Sequence, residues 1–384
     1  MSLVLLTYSI KQHYKFSARR LQCQENCIFL LENYAENILI LQKIKIWRYM
    51  DRRYLALVAM IVLMVVAMVT MRNRKEFHTL GGVVWTTEYH ITYESERQLD
   101  DSVQAVLARV DASASKYNPQ SVISRINTNS DSVADDIVQR LYIKSREVWE
   151  ASEGAFDPTV SPLANVWGYG LKTGLKPDSA TIDSIREFVG LGLTSLENGV
   201  VKKQDVRTSF DFNSIAKGLA CDEVGRMLER NGVENYLVEI GGEIACAGHN
   251  ANGGMWRVSI DAPVESADTV IHTSAMVIAL NRGGVATSGN YRNFKIENGR
   301  KTGHTINPNT GYPELTNLLS ATIVAADCIT ADAYATACMV MGVERTQNLL
   351  GNSHETAVML MYVDESGNIA KWENGEFARL RNGK

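Results

Sequence analysis

The sequence predicts an α+β fold with one membrane segment in front of it. Three observations predict this. Strand-like segments follow one another through the C-terminal half, the helical periods are grouped rather than alternating with them, and one long run near the N-terminus carries no charge.

The uncharged run is Tyr54–Met71, about the length needed to cross a bilayer. It shows no polar face, as a buried core helix of that length would. Lys43, Lys45, Arg48, Arg52 and Arg53 precede it, and Arg72, Arg74 and Lys75 follow. The bias places the N-terminus in the cytoplasm and everything after Met71 outside. No small-residue cleavage site follows, so 50–75 reads as an uncleaved anchor or signal-anchor. Residues 1–49 carry no motif and are a doubtful upstream extension. Met50, followed by Asp51, Arg52 and Arg53, opens a more compact leader.

Residues 79–384 form one domain without a linker, charge block or repeat. Val83–Tyr93 reads as a strand rich in β-branched and aromatic residues. Gln98–Ala114 is a helix with Leu99, Val103, Val106, Leu107 and Val110 on one stripe. Ala134–Ser152 is a second, stopped by Gly154, and Ile182–Phe188 a short third. Strands are expected at Thr208–Phe212, Tyr236–Ile240, Glu243–Ala247, Trp256–Asp261, Val277–Asn281, Gly284–Ser288, Ala321–Ala325 and Ala357–Val363. Helices Ser214–Arg230 and Ile329–Val340 interrupt them, and Met361–Trp372 is a terminal hairpin.

Of 384 residues, 45% are apolar and 21% charged, a globular composition. Lys plus Arg number 39 against 43 Asp plus Glu, which argues against a nucleic-acid footprint. The 6 cysteines (Cys23, Cys27, Cys221, Cys246, Cys328 and Cys338) make neither a disulfide framework nor a zinc pattern. Cys221, Cys246 and Cys338 read as core thiols. A P-loop, a zincin HExxH and a GxSxG elbow are all absent, and Gly168, Gly170 and Gly174 miss the dinucleotide fingerprint.

Four local constellations remain. In Asp211–Gly218 a strand meets a helix, with Asn213 or Ser214 placed to cap it. Free backbone N–H groups and Lys217 there suit a phosphate, or equally a capped surface helix with a solvated lysine. In Asp327–Thr336, Asp332 and Thr336 share a helix face and are hard oxygen ligands of the kind Mg²⁺ accepts. Asp332 would also simply favour a helix N-terminus. His304 leads into a turn rich in Asn, Pro and Gly, where it is either an acid–base group or merely solvated. The glycine pairs in Glu239–Glu243 and Gly283–Gly289 allow close approach of a flat ligand, or a bulge.

Their order is more specific than any one of them. Gly154-Ala-Phe-Asp-Pro-Thr-Val160, Asp211…Lys217-Gly218, Glu239-Ile-Gly-Gly, Ala286-Thr-Ser-Gly289, His304-Thr-Ile-Asn-Pro308 and Ala331-Asp-Ala-Tyr-Ala-Thr336 succeed one another. Upstream stand Trp85-Thr-Thr-Glu-Tyr89 and Tyr117-Asn-Pro-Gln-Ser-Val-Ile-Ser-Arg-Ile-Asn127. Together, over about Val83–Gly342, they resemble the ApbE family of FAD:protein FMN transferases.

The resemblance implies a T-fold-related domain of mixed, mostly antiparallel sheets with helices. It implies FAD, as substrate, against Trp85, Tyr117, Ala155, Phe156, Asp157, Asp211, Lys217 and Thr305. It implies Mg²⁺ on the side chains of Asp332 and Thr336 and the carbonyl of Ser214, with His304 and Lys217 as catalytic groups. The implied reaction moves FMN from FAD to a threonine hydroxyl of a target redox protein and releases AMP. The same site with water as nucleophile would be an FAD pyrophosphatase. Three departures stand out: Trp85-Thr86 replaces Met-Gly, Asn307 replaces Asp, and no lipidation cysteine lies near Met71.

Overall fold

The computed structural model describes residues 52–72, 75–169, 177–262, 274–289, 294–297, 300–303, 305–314 and 316–381. They belong to two units that divide after Arg74. In the first, helix α1 (Arg52–Arg72) has 21 residues, and its described side chains, at 54 and 56–65, are exposed. Among the described residues no helix is long and apolar enough to cross a membrane. Residues 1–49 and Met50 lie outside the described residues.

The second unit opens with hairpin β1 (Glu76–Val84)–β2 (Thr87–Ser95) and helices α2 (Asp100–Ala114), α3 (Val122–Asn127), α4 (Asp136–Ala151), α5 (Ser161–Val166) and α6 (Ser179–Arg186). A small hairpin, β3 (Thr194–Glu197)–β4 (Val200–Lys203), precedes α7 (Ala216–Arg230). Strands β5 (Tyr236–Ile240), β6 (Glu243–Ala247), β7 (Trp256–Asp261), β8 (Ser274–Leu280), β9 (Arg282–Gly289), β10 (Phe294–Glu297), β11 (Arg300–Gly303) and β12 (Leu318–Ala325) follow. Helix α8 (Cys328–Leu350), β13 (Ala357–Val363), β14 (Ile369–Glu373) and α9 (Gly375–Arg381) come last.

Eight strands form one antiparallel sheet in the order β1-β2-β5-β6-β9-β12-β13-β14. Alternation along β2 and β5 turns Ile91, Tyr93, Val238 and Ile240 inward, where Leu219, Val224 and Leu228 of α7 join the same core cluster. On the second cluster, Trp256 and Val258 of β7 and Phe377 of α9 meet Val285, Met359 and Met361. β12 contributes to both clusters, which is why it is buried along almost its whole length and reads as a continuous apolar run.

Several expectations are corrected. Val83–Tyr93 is not one strand: the chain reverses at Trp85 (φ 50) and Thr86 (φ 65), and Val84 pairs with Thr87. Neither residue is a usual donor of left-handed backbone, so no turn signal marks the place. Thr208–Phe212 is not a strand. It is apolar because Phe210 and Phe212 are buried, and its backbone is satisfied by Asn127, which bonds both the N–H and the carbonyl of Phe210, and by Pro158. The β3–β4 hairpin, turning at Asn198-Gly199, and the final helix α9 were not expected. Helix α8 runs past Val340 to Leu350 through a non-helical break at Gly342 (φ 72).

Thr86 is β-branched in a conformation that costs an L-residue about 1–2 kcal/mol. Thr86→Gly is expected to raise stability by about 1 kcal/mol in thermal unfolding. A fall would mean that the Thr86 hydroxyl, which donates to the Trp85 carbonyl at 2.6 Å, outweighs the strain.

Candidate active site

Helices α7 and α8 meet at Gly218, where a Cβ would lie 2.5 Å from the Cys328 carbonyl oxygen and 2.8 Å from Asp332 Cβ. Only a glycine permits that approach. It lets the Gly218 N–H donate to Asp332 Oδ2 at 2.9 Å, although Asp332 is only 3% exposed. One turn on, Thr336 Oγ1 stands 3.4 Å from the Ser214 carbonyl, to which it donates, and 3.5 Å from Ser288 Oγ. The predicted trio of Ser214, Asp332 and Thr336 is therefore brought together by the turn that leads into α7 and by α8, far apart in sequence.

Asp332 does not serve the start of α8. Asp327 caps that end by accepting from Thr330 N at 3.0 Å, and Asp222 accepts from Cys328 N and Ile329 N at 2.9 Å each. Burial raises the Asp222 pKa to about 7 against the pull of those two donors. Burial likewise raises the pKa of Asp332, opposed by the Lys217 ammonium and the Gly218 N–H. Among the described residues no hydrogen bond reaches Asp332 Oδ1.

The expected cap on α7 is absent: Ile215 occupies the position and no side chain caps it, so neither Asn213 nor Ser214 does. Lys217, in the first turn, is half-buried and ion-paired with Glu243 at the start of β6. Burial acts to lower the Lys217 pKa, but the charges of Glu243 and Asp332 outweigh it and hold the ammonium protonated. The Gly241-Gly242 pair is a tight turn between β5 and β6 at positive φ. A Cβ on Gly241 would touch Lys217 Cδ at 3.3 Å, so the turn closes on the lysine stem. Gly284 is needed for the close approach of α8 at Cys328, again a protein contact.

These groups open into a cleft of about 460 Å³. Of the predicted residues, Tyr117, Ala155, Phe156, Asp157, Asp211, Ser214, Lys217, Thr305, Asp332 and Thr336 line it. Asp157 does so with a fully engaged carboxylate. It accepts from Thr159 N (2.7 Å), Thr159 Oγ1 (2.6 Å) and Leu191 N (2.8 Å), so it shapes the loop, and burial raises its pKa. Trp85 lies apart, in a neighbouring cavity of about 600 Å³ that shares Tyr117, Asn213 and Lys217 with the cleft. Its Nε1 donates to Asp111 at 3.0 Å. His304 lies outside the described residues, between Gly303 and the cleft-lining Thr305.

Asn307 explains its own departure from the expected Asp. Its amide donates to Glu314 at 2.9 Å and its Oδ1 accepts from Asn309 N at 2.9 Å. An aspartate would set two carboxylates against each other, and the negative charge near this loop is supplied by Glu314 instead. Asn309 in turn donates to the Glu153 carbonyl at 3.0 Å, pinning the loop beside Gly154–Phe156.

Two charged cleft residues, Glu243 and Lys116, escape sequence reasoning. Glu243 has one signal, its place on the buried alternation of β6 with Ala245 and Ala247. Lys116, ion-paired with Asp211 and 5.2 Å from the centre of the Tyr117 ring, has none beyond adjacency to Tyr117. Among the described residues no group of three or more His, Cys, Asp or Glu could hold a metal, so a cation here would rest on a mixed oxygen set.

The ApbE family model matches residues 85–360. An FAD:protein FMN transferase of Haemophilus influenzae is 30% identical over 328 residues, 81% of this chain and 93% of the relative. That of Vibrio cholerae is 31% identical over 297 residues, 74% and 88%. Among solved structures, the flavinyl transferase ApbE of Pseudomonas stutzeri superposes with a TM-score of 0.72 at 30% identity, covering 80% of this chain and 98% of that one. The Vibrio cholerae flavin transferase ApbE gives 0.70 at 28% identity, over 80% and 99%. With the family match running through the whole of the cleft and most of the sheet, the chain belongs to the ApbE family.

Proposed function

We propose that this chain transfers FMN from FAD to a threonine hydroxyl of a target protein and releases AMP. The observation that carries the reading is the cleft in which Lys217 stands with Asp332, Thr336 and the Ser214 carbonyl, in a chain whose relatives are FAD:protein FMN transferases. The reaction breaks the bridging P–O bond of the diphosphate and forms a new one to the acceptor oxygen, whose proton must be removed.

The residues fit Mg²⁺. A carboxylate that is 3% exposed receives one hydrogen bond, on Oδ2, leaving Oδ1 to a cation. The long 3.4 and 3.5 Å spacings around Thr336 Oγ1 leave hard oxygens weakly engaged. Mg²⁺ keeps waters and phosphate oxygens in its octahedron, so one carboxylate, one hydroxyl and one carbonyl suffice from the protein. When bound it would neutralise diphosphate charge as the P–O bond breaks. Lys217 would add a second positive contact. Asp211, held by Lys116 and by Asn213 N at 3.1 Å, orders the segment that presents Ser214. His304 would take the acceptor proton. We also propose that Tyr54–Met71 anchors the chain in the cytoplasmic membrane with this domain on the outer face. The charge-free run and its more basic upstream flank support that placement.

Incubating the full-length chain with FAD and Mg²⁺, with and without a protein carrying a short threonine motif, tests the reading. Flavin fluorescence on the acceptor with matching AMP is expected. Free FMN formed equally fast in both mixtures would make the chain an FAD pyrophosphatase instead.

A further inference from the structure

The hairpin turn at Trp85 (φ 50) and Thr86 (φ 65) puts two consecutive non-glycine residues in the left-handed region. Such strain persists only where surrounding contacts over-determine it, and it gathers at ligand clamps. Trp85 packs against the main core cluster, and its Nε1 donates to Asp111 Oδ1 of α2 at 3.0 Å. The second oxygen of that carboxylate accepts from Asn118 Nδ2 at 3.4 Å. Asn118 directly follows Tyr117, so one carboxylate ties together the two segments that bring an aromatic ring to the cavity beside the cleft. Other walls are small and apolar, at Val110, Ala114 and Ala216, and Lys217 lines both this cavity and the cleft. Aromatic and apolar walls with a cation at the shared boundary suit a planar heterocycle whose phosphates continue into the cleft.

We propose that Asp111 is a positioning residue that holds the Trp85 indole as a stacking wall for one planar heterocycle of the dinucleotide. The inference rests on the flavin transferase reading and deepens it, by naming how one end of FAD is gripped. The indole offers what the methionine of the usual Met-Gly pair lacks, a flat face and an N–H that a carboxylate can fix. Without the Asp111 oxygen, nothing at that point holds the N–H, and the strained turn lets the ring rotate away. Stacking then loses its fixed geometry, while Lys217 and the groups around Asp332 stay where they are. Asp111 acts through Trp85 and not on the reacting atoms.

The experiment measures FAD affinity from flavin fluorescence, with Mg²⁺ present throughout, on the full-length chain and its variants. Asp111→Ala is expected to weaken FAD binding about tenfold, the scale of one lost base–aromatic stack. Turnover at saturating FAD should change little, because binding is lost equally from ground and transition states. Asp111→Asn keeps an oxygen for the indole N–H and should restore the wild-type affinity. Trp85→Phe removes the donor, so adding Asp111→Ala to it should cost nothing further. Competition by FMN and by ADP, which carry one heterocycle each, identifies the end that stacks: the loss in Asp111→Ala should fall on one of them. Unchanged FAD affinity in Asp111→Ala, an equal loss in Asp111→Asn, a further loss on the Trp85→Phe background, or equal losses for FMN and ADP would each overturn the proposal. If the wild-type chain binds no FAD, the flavin reading itself fails and the positioning role falls with it.

Discussion

Asp332→Asn abolishes metal-dependent FMN transfer, by about 10²–10³-fold or more, while leaving the protein folded: that is the first expected result. The asparagine keeps an oxygen that can accept the Gly218 N–H, now bonded at 2.9 Å to Asp332 Oδ2. The packing of α7 on α8 therefore loses little. What disappears is the charge, and with it the reason for a cation to sit beside the Ser214 carbonyl and Thr336. Asp332→Ala is expected to lose transfer equally and also about 1–3 kcal/mol of stability, because a buried N–H is left without a partner. Thermal unfolding alongside AMP release separates the two contributions. An active Asp332→Asn protein would remove the metal assignment.

The second large effect is expected from Gly218→Ala. The new methyl would stand 2.5 Å from the Cys328 carbonyl and 2.8 Å from Asp332 Cβ, and the first of these is backbone that cannot swing away. The two helices must part, at a cost of about 1–3 kcal/mol for an overpacked contact. Because Ser214 and Lys217 ride with α7 while Asp332 and Thr336 ride with α8, the separation also pulls the site open. A displacement near 1 Å costs about 10²-fold in rate. A lower melting temperature and about 100-fold slower transfer are expected together. Wild-type turnover in the Gly218→Ala variant would show that the helix contact does not set the site.

Much of this was readable beforehand, for identifiable reasons. Asp332 and Thr336 could be paired from the helical period alone, and the strands from β5 onward carry the alternation or apolar runs that sheets demand. The helix that carries Lys217 lay close to where periodicity put it, two residues shorter at its start. Where the reading failed, something non-local decided. Phe210 and Phe212 look like strand residues, yet an asparagine in α3 takes the backbone bonds that a neighbouring strand would have taken. The Trp85-Thr86 turn breaks the rule that reversals use Gly or Asn, so it was hidden inside an apparent strand. Glu243 and Lys116 are defined by the ion pairs they make across the fold, which no local pattern encodes. Asp157 lines the cleft, and of the loop bonds its oxygens make to Thr159 and Leu191, the second is likewise set by a residue outside its own motif.

The most direct measurement of the central claim is anomalous diffraction from crystals soaked in Mn²⁺ and FAD, with Mn²⁺ standing in for Mg²⁺ as a cation of the same oxygen preference. The expected result is one peak about 2.1 Å from an Asp332 oxygen, Thr336 Oγ1 and the Ser214 carbonyl, with the flavin diphosphate completing its shell. A diphosphate bound in the cleft with no metal touching Asp332 would contradict it.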